Sequence, residues 1–364
     1  MSTQVLHVIA RMNVGGTARY VGELVENIPD SKLATGYVQG SEIEDPCIQK
    51  LDVMRVPHMG RAISPFNDFR AWLELRKIIK EIKPAIIHTH TFKAGLIGRL
   101  IGGKHKRVHT FHGHLFGDQS FSSLEKYMIT NAEKFLANRT DLLISVGKKV
   151  GVELRAQGIG AKKEWVSIAP GVNALPLIEK RQARKSLGLN EEGMLLGWMA
   201  RMAEVKNPHL LLEIASQMPE LSFVMAGGGN LLEEIKKRAT KNVAVIGWAN
   251  AATFWSAVDC AISTSDNEGM PISLIEAQLA GIPAIATDVG SNSEVIRNGI
   301  TGIITSKNSE HIIKEIRKLI ADKGLSESMK FAAKKLALRD FSIEKLLDRH
   351  QKAYKSFLTQ DLPF

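Results

Sequence analysis

The chain has 364 residues with 44% hydrophobic and 24% charged content, the proportions of a soluble globular protein long enough for two ordinary domains. No apolar run reaches the roughly 18 residues that a bilayer-crossing helix needs, and MSTQVLHVIAR at the N-terminus reads as a first strand rather than as a basic leader with a cleavage site. Its two cysteines, Cys47 and Cys260, lie far apart without a CxxC pair, so neither a disulfide framework nor a zinc site is suggested and a reduced, cytoplasmic setting fits best.

The formal charge of +10 is uneven. Residues 1–172 carry 24 Lys and Arg against 16 Asp and Glu, a net +8, and the remainder 24 against 22, a net +2. A basic first half fits an anionic partner such as an acidic lipid surface or a phosphorylated substrate. Nucleic acid is not expected, because no ribonucleoprotein motif, zinc finger or leucine-zipper heptad accompanies the charge.

The first half alternates short apolar runs with helix-period segments. QVLHVIA, TGYVQG, MRVP, AIIHTH, KRVHTFHG, DLLISVG and EWVSIAP are the predicted strands, and between them FNDFRAWLELRKIIKEI and SSLEKYMITNAEKFLANR are the longest helices. After Pro170-Gly171 comes a charged helical connector, IEKRQARKSLGL, and the alternation restarts with MLLGWMA, LSFVMAGG, NVAVIGW, DCAISTS, PAIATD and TGIIT. Three helical stretches follow from about Ser309. This alternation predicts an α/β chain of two doubly wound, Rossmann-like domains with parallel sheets facing a cleft. The expected bounds are 1–173 and 174–341, with 342–364 as a final helix.

Ser265 to Ala286, SDNEGMPISLIEAQLAGIPAIA, carries the densest signal. Pro271 suits the first turn of a helix, where its missing N–H goes unneeded. The N–H groups around Gly269 and Met270 would then point at an anion such as phosphate. Glu268 would precede the helix and Glu276 lie about two turns along it, so one carboxylate falls on either side of the anion. Helix-end charges with no ligand satisfy the same pattern.

Elsewhere, Gly15-Gly16 follows the first strand without the GxGxxG fingerprint, and is either a phosphate-approach loop or a tight turn. Gly98 to Lys104 has Walker A spacing, but His105 stands where Ser or Thr would hold magnesium, and a glycine-capped helix end is the better reading. His88 and His90, then His109, His112 and His114, fall at two strand ends. No carboxylate or cysteine completes a metal set there, so no metal is expected. His112 is either a polar contact to a reacting group or a buried histidine. Arg201 and Lys206 flank the end of MLLGWMA, where they could clamp a diphosphate or simply be solvated. Gly227-Gly228-Gly229 also fails GxGxxG, and no Asp-x-Asp is present to hold a metal–diphosphate.

Taken in order, these motifs resemble the retaining glycosyltransferases of family 4, which have the GT-B fold. The carriers are the Gly15-Gly16 loop, TFHGH at Thr110 to His114, ARMAEVKNP at Ala200 to Pro208, AGGGNLLEEI at Ala226 to Ile235, and above all the E-x7-E spacing of Glu268 and Glu276. Ala200, Pro170 and Ser291 stand where the family more often has Gly, Asn and Gly. The resemblance implies a nucleotide-sugar donor, most simply a UDP-sugar, and a saccharide or polyprenyl-diphosphate-linked acceptor used in surface polysaccharide synthesis. It implies retention of configuration without a divalent metal. Glu268 and His112 would act at the transferred sugar and Glu276 at the ribose; Arg201, Lys206, Gly16, Gly269 and Met270 would hold the diphosphate. A 2-epimerase or a non-catalytic sugar-nucleotide sensor on the same scaffold is the alternative. Contact with the inner face of a membrane rests on charge alone.

Overall fold

The computed structural model describes residues 4–40, 42–60, 62–113 and 122–359. Among these, no helix is long and apolar enough to cross a membrane. In chain order the first elements are β1 (Val5–Ile9), α1 (Gly16–Asn27), β2 (Ser31–Thr35), β3 (Val53–Arg55), α2 (Pro65–Ile82), β4 (Ile86–His90), α3 (Phe92–Gly98), β5 (Lys106–Phe111), α4 (Ser123–Asn138), β6 (Leu142–Ser145), α5 (Lys148–Ala156) and β7 (Trp165–Ser167). Then follow α6 (Lys180–Ser186), β8 (Leu195–Met199), α7 (Pro208–Ser216), β9 (Ser222–Ala226), α8 (Leu232–Arg238), β10 (Val243–Gly247), α9 (Ala251–Ala257), β11 (Cys260–Ser263), α10 (Ile272–Leu279), β12 (Ala284–Thr287), α11 (Asn292–Val295) and β13 (Gly302–Thr305). Three helices close the chain: α12 (Ser309–Ala321), α13 (Lys323–Asp340) and α14 (Ile343–Thr359). The chain divides into two compact units, with boundaries at Gly171/Val172 and Ser342/Ile343, and α14 belongs to the first unit.

The first unit is built on a seven-stranded sheet of order β3-β2-β1-β4-β5-β6-β7. Its strand pairs are parallel. The strand order reverses between β1 and β4. Because crossovers are right-handed, α1 covers one face while α2, α3, α4 and α5, which link strands running the other way across the sheet, cover the opposite face. α14 packs beside α1. Leu6, Val8, Ile87, Ala94 and Leu75 form the core beneath α2 and α3. The buried Arg99–Glu133 ion pair, at 2.7 Å, ties the end of α3 to α4.

The second strand differs from expectation. It is Ser31–Thr35, not TGYVQG. Asp30 takes a left-handed conformation at φ 57°, so the chain turns early and enters the sheet at once beside β1, with Val5 opposite Ser31. Gly36 already leaves the ladder, where a Cβ would lie 1.9 Å from the Met59 carbonyl oxygen.

The second unit has a six-stranded sheet of order β10-β9-β8-β11-β12-β13, reversing between β8 and β11. Its core joins Trp198, Phe223, Met225, Ile262 and Ile285 of the sheet to Leu211, Ile214, Ile312 and Ile316 of α7 and α12. Asn207 starts α7 in a left-handed conformation, φ 47°, and its side chain accepts a hydrogen bond from the Leu210 N–H. Replacing Asn207 with Ala removes the cap and places a Cβ residue lacking asparagine's local hydrogen bonds in that conformation. The expected loss is about 1–2 kcal/mol of stability, read as a lower urea midpoint at unchanged slope.

Candidate functional site

Open α/β sheets bind ligands at the carboxyl ends of strands where the strand order reverses. In the second unit that point lies after β8 and β11, and the chain places Arg201 and Lys206 after the first and Glu268 after the second. Thr264 connects the two loops. Its buried hydroxyl accepts from Trp198 Nε1–H at 3.0 Å and donates to the Asn207 carbonyl at 2.8 Å. The Asp266 N–H adds a 2.9 Å bond to the Val205 carbonyl. Lys206 is thereby held against the loop that carries Glu268, and its Nζ lies 2.6 Å from Glu268 Oε1. The same carboxylate oxygen accepts from Ser265 Oγ at 2.7 Å. Glu268 is only 8% exposed, so this carboxylate is no solvated helix-end charge.

The backbone around Glu268 is equally constrained. Ser291 N–H donates to the Gly269 carbonyl at 3.0 Å. Gly290, at φ 47°, lies so close that a Cβ would fall 1.8 Å from the Glu268 carbonyl oxygen. The triple glycine after β9 serves the other loop. A Cβ on Gly227 would fall 1.8 Å from the Ala200 carbonyl oxygen, and one on Gly229 2.3 Å from that of Met202. Close backbone packing, rather than a dinucleotide turn, explains those glycines. Arg201 is exposed beside this packed segment.

Pro271 is the N-cap of α10, with an extended ψ of 113°, not a residue of the first turn. The helix therefore begins at Ile272, and Glu276 is its fifth residue, just over one turn in rather than two. Ile275 N–H makes the first backbone bond back, to the Pro271 carbonyl. The N–H groups of Ile272 to Leu274 precede any intrahelical acceptor and give this end its partial positive charge. Glu276 is buried, and Trp255 Nε1–H approaches its Oε2 at 3.4 Å.

In the first unit, Gly16 opens α1, and Gly15 before it has φ 154°, a conformation that favours glycine. Both are exposed at the carboxyl end of β1. At β4 the chain forms a polar core that periodicity alone only hinted at. His7 is paired in register with His88, so His7, His88 and His90 share the face covered by α1 and α14. His112 Nε2 lies 3.1 Å from His90 Nδ1, and His90 Nε2 lies 3.1 Å from His7 Nδ1. His88 bonds Tyr354 at 2.6 Å through Nδ1 and Thr110 at 2.7 Å through Nε2. Tyr20 adds a 3.2 Å bond to His350 and sets its ring perpendicular to His112 at 4.8 Å. Burial pushes the imidazoles toward their neutral forms, to about 3 for His7 and about 4 for His350.

His7, His88 and His90 each hold a ring nitrogen within 4.8 Å of the others, a spacing a metal ion could exploit. Of their six ring nitrogens, however, only His7 Nε2 lacks a hydrogen-bond partner, so the group is organised as a hydrogen-bonded network. Directly after His90, the β-branched Thr91 is held at φ 70° with its hydroxyl buried and unbonded. Such strain concentrates at functional positions. His109 faces the opposite side and bonds Thr89 at 2.8 Å. His114 lies outside the described residues. Gly98 closes α3 and packs on Thr89, so the Walker-like spacing is a helix end.

Two doubly wound parallel units, with a cation and a buried carboxylate at the reversal point of the second, define a GT-B protein. Residues 179–336 match the family model for glycosyl transferases group 1, and residues 14–174 that for glycosyltransferase family 4. Together the two matches span most of the chain, and the protein belongs to this glycosyltransferase family. It is 26% identical, over 96% of both chains, to the Escherichia coli UDP-Gal:alpha-D-GlcNAc-diphosphoundecaprenol alpha-1,3-galactosyltransferase. It is 24% identical to the Staphylococcus aureus capsular polysaccharide biosynthesis glycosyltransferase CapM, over 85% of this chain and 86% of that one. Among solved structures, Anabaena HepE in complex with UDP and glucose shares the fold with a TM-score of 0.84 at 17% identity, covering 97% of this chain and all of that one.

Proposed function

We propose that this glycosyltransferase moves a sugar from a nucleotide diphosphate, most simply UDP, to a lipid-diphosphate-linked saccharide in surface polysaccharide synthesis, with retention and without a divalent metal. The observation that carries the reading is the Lys206–Glu268 pair at the β8/β11 reversal. It sets a cation for a departing diphosphate beside a carboxylate able to accept from sugar hydroxyls. Arg201 and the start of α10, with Gly269 and Met270, add positive potential, so that a leaving diphosphate is stabilised by preorganised donors. Glu276, steadied by Trp255, is assigned to the ribose hydroxyls. Gly16 is assigned to the diphosphate and His112 to the transferred sugar.

In this chemistry the sugar–phosphate bond breaks as positive charge builds on the ring, and the leaving oxygen accepts the acceptor's proton on the same face. The two glutamates hold hydroxyls and are not an acid–nucleophile pair. The names of the curated relatives support the donor and acceptor class: one uses UDP-Gal with a diphosphoundecaprenol-linked sugar, and another serves capsule synthesis.

A panel of UDP- and GDP-sugars with a polyprenyl-diphosphate-linked saccharide, in chelator, tests the reading. One UDP-sugar is expected to release UDP and give a product whose anomeric coupling matches the donor's. An inverted product overturns retention, and turnover that needs added Mg²⁺ or Mn²⁺ overturns metal independence. A UDP-sugar isomerised without acceptor marks an epimerase instead.

A further inference from the structure

Three of the imidazoles in the first unit form a line that ends at His112. His7 Nδ1 lies 3.1 Å from His90 Nε2, and His90 Nδ1 lies 3.1 Å from His112 Nε2. His7 and His90 are fully buried, whereas His112, one residue beyond β5, is half-buried. His90 is the last residue of β4, held in register between Ile9 of β1 and Thr110 of β5. The Tyr20 ring stands perpendicular to His112 at 4.8 Å, while its hydroxyl is taken up by His350 and the Ile168 carbonyl. Tyr20 therefore sets the plane of the His112 ring, and His90 holds its Nε2.

Which nitrogen of His112 carries the proton is decided at the far end of this line. Desolvation pushes the His7 and His112 imidazoles down to about 3 and holds that of His90 well below its ordinary value. At neutral pH each ring therefore has one proton, with one donor and one acceptor nitrogen. Two N–H···N bonds through three neutral rings allow only two arrangements, with the protons pointing all away from His7 or all toward it. In the second arrangement His7 Nε2 holds an N–H, and that buried atom has no hydrogen-bond partner among the described residues. Orphaned buried N–H groups are rarer than unfilled acceptors, which selects the first. His7 Nε2 is then bare, His7 Nδ1–H donates to His90 Nε2, and His90 Nδ1–H donates to His112 Nε2. The hydrogen bond at one nitrogen fixes the state of the other, so His112 carries its proton on Nδ1. An isolated imidazole favours the opposite form, so the line imposes on His112 a state it would not adopt alone.

We propose that His90, itself set by His7, is a positioning residue that holds His112 as an Nδ1–H donor. The inference rests on the reading that His112 meets the transferred sugar, and it specifies the chemistry of that contact. The basic nitrogen of His112, Nε2, is occupied by His90, so the ring donates a hydrogen bond to a sugar oxygen and does not act as a base. The acceptor's proton is thereby left to the leaving phosphate oxygen.

The test is nitrogen NMR of the full chain carrying isotope-labelled histidine at neutral pH, with His112 assigned by the signal lost in His112→Ala. Both His90 and His112 are expected to be protonated on Nδ1 and bare on Nε2, with a coupling across the hydrogen bond from His90 Nδ1 to His112 Nε2. A wild-type His112 protonated on Nε2 overturns the proposal. His90→Ala removes the donor and opens space for water beside His112, which should return to the Nε2–H form. A folded His90→Ala protein that loses only stability, with His112 still protonated on Nδ1, also overturns it. The same variant should lower the kcat of transfer by about tenfold, the loss of about one hydrogen bond, while KM for the donor changes by less than about threefold. Should His90→Ala fail to fold, the coupling in the wild type decides which ring donates. Sugar transfer at the wild-type rate by His112→Ala, with the expected protonation pattern intact in the wild type, would remove His112 from the transferred sugar and leave His90 as the residue that sets its proton.

Discussion

Lys206→Ala is expected to lower the kcat of sugar transfer by about 10²- to 10³-fold, the range typical of losing one preorganised donor at a developing charge. The diphosphate is already anionic in the donor and gains a further charge as the sugar leaves, so an ammonium placed there would hold the donor and stabilise the transition state more. KM for the donor should therefore rise, though by less than kcat falls. The variant has a second consequence. Glu268 is 8% exposed, and without Lys206 at 2.6 Å its charge keeps only the Ser265 hydroxyl as a described partner. An orphaned buried charge costs about 3–5 kcal/mol, and partial solvent access at Lys206 reduces that here to about 2 kcal/mol. Glu268→Gln should also lose most activity, since a carboxylate accepts from sugar hydroxyls better than an amide. In the double variant, however, stability should recover relative to Lys206→Ala, because the charge left unpaired is gone. Urea denaturation of the four proteins gives the coupling directly. Additive stability losses would separate the two residues, and an unchanged kcat for Lys206→Ala would remove it from the diphosphate.

Much of this architecture was legible because parallel strands buried on both faces appear as continuous apolar runs. AIIHTH and DLLISVG need no partner to be recognised as strands. TGYVQG misled because its apolar centre lies beyond the sheet, while the true strand, SKLAT, begins with two half-buried polar residues. Its position follows from the turn at Asp30 and the pairing with β1, which no local window contains. The same limit applies to the site. Glu268, Arg201 and Lys206 could be picked out singly, but the ion pair joins residues brought together by strand order, since β11 pairs with β8 across two intervening strands in sequence. Pro271 falls just outside the helix rather than in its first turn, because proline suits both positions.

The histidine network shows the limit most clearly. His88 and His90 stand out as a pair in the sequence, whereas His7 is single in its apolar run and no motif marks His350 or Tyr354 in the last helix. The available signal was register: if the first strand pairs with AIIHTH, His7 must fall beside His88. Recognising that α14 closes over both requires the tertiary fold.

That network makes acid the second large perturbation. His7, His88, His90 and His350 are fully buried, and desolvation holds each imidazole's pKa below its ordinary value, with repulsion between neighbouring rings adding to the effect at His88 and His90. In the unfolded chain these groups titrate near 6.5. The sign follows: at any pH between the folded and unfolded values the unfolded state binds more protons, so stability is complete above about 6.5 and falls as pH drops toward the folded values. Each such group contributes a slope of about 1.4 kcal/mol per pH unit. Four together would remove about 5 kcal/mol per unit, comparable to the whole stability of many domains. The first unit should therefore lose its folded structure between about pH 6 and pH 4, taking up several protons, while the second unit, whose core among the described residues holds no such network, unfolds at lower pH. Among the carboxylates of this unit, burial holds the Glu133 pKa above its ordinary value, which favours the folded state in acid, whereas hydrogen bonds from Ser122 hold that of Glu125 below it at the exposed start of α4, which does the reverse. His350→Leu sharpens the test. It leaves the Tyr20 hydroxyl without its imidazole partner and so costs about 1–3 kcal/mol at pH 7.5, yet it should flatten the pH dependence by about one proton. Tryptophan fluorescence of Trp165 against that of the second unit, followed through urea titrations at a series of pH values, reports both effects. A first unit equally stable at pH 7 and pH 5, or a variant with an unaltered slope, would show that these imidazoles are charged or solvated in the folded protein.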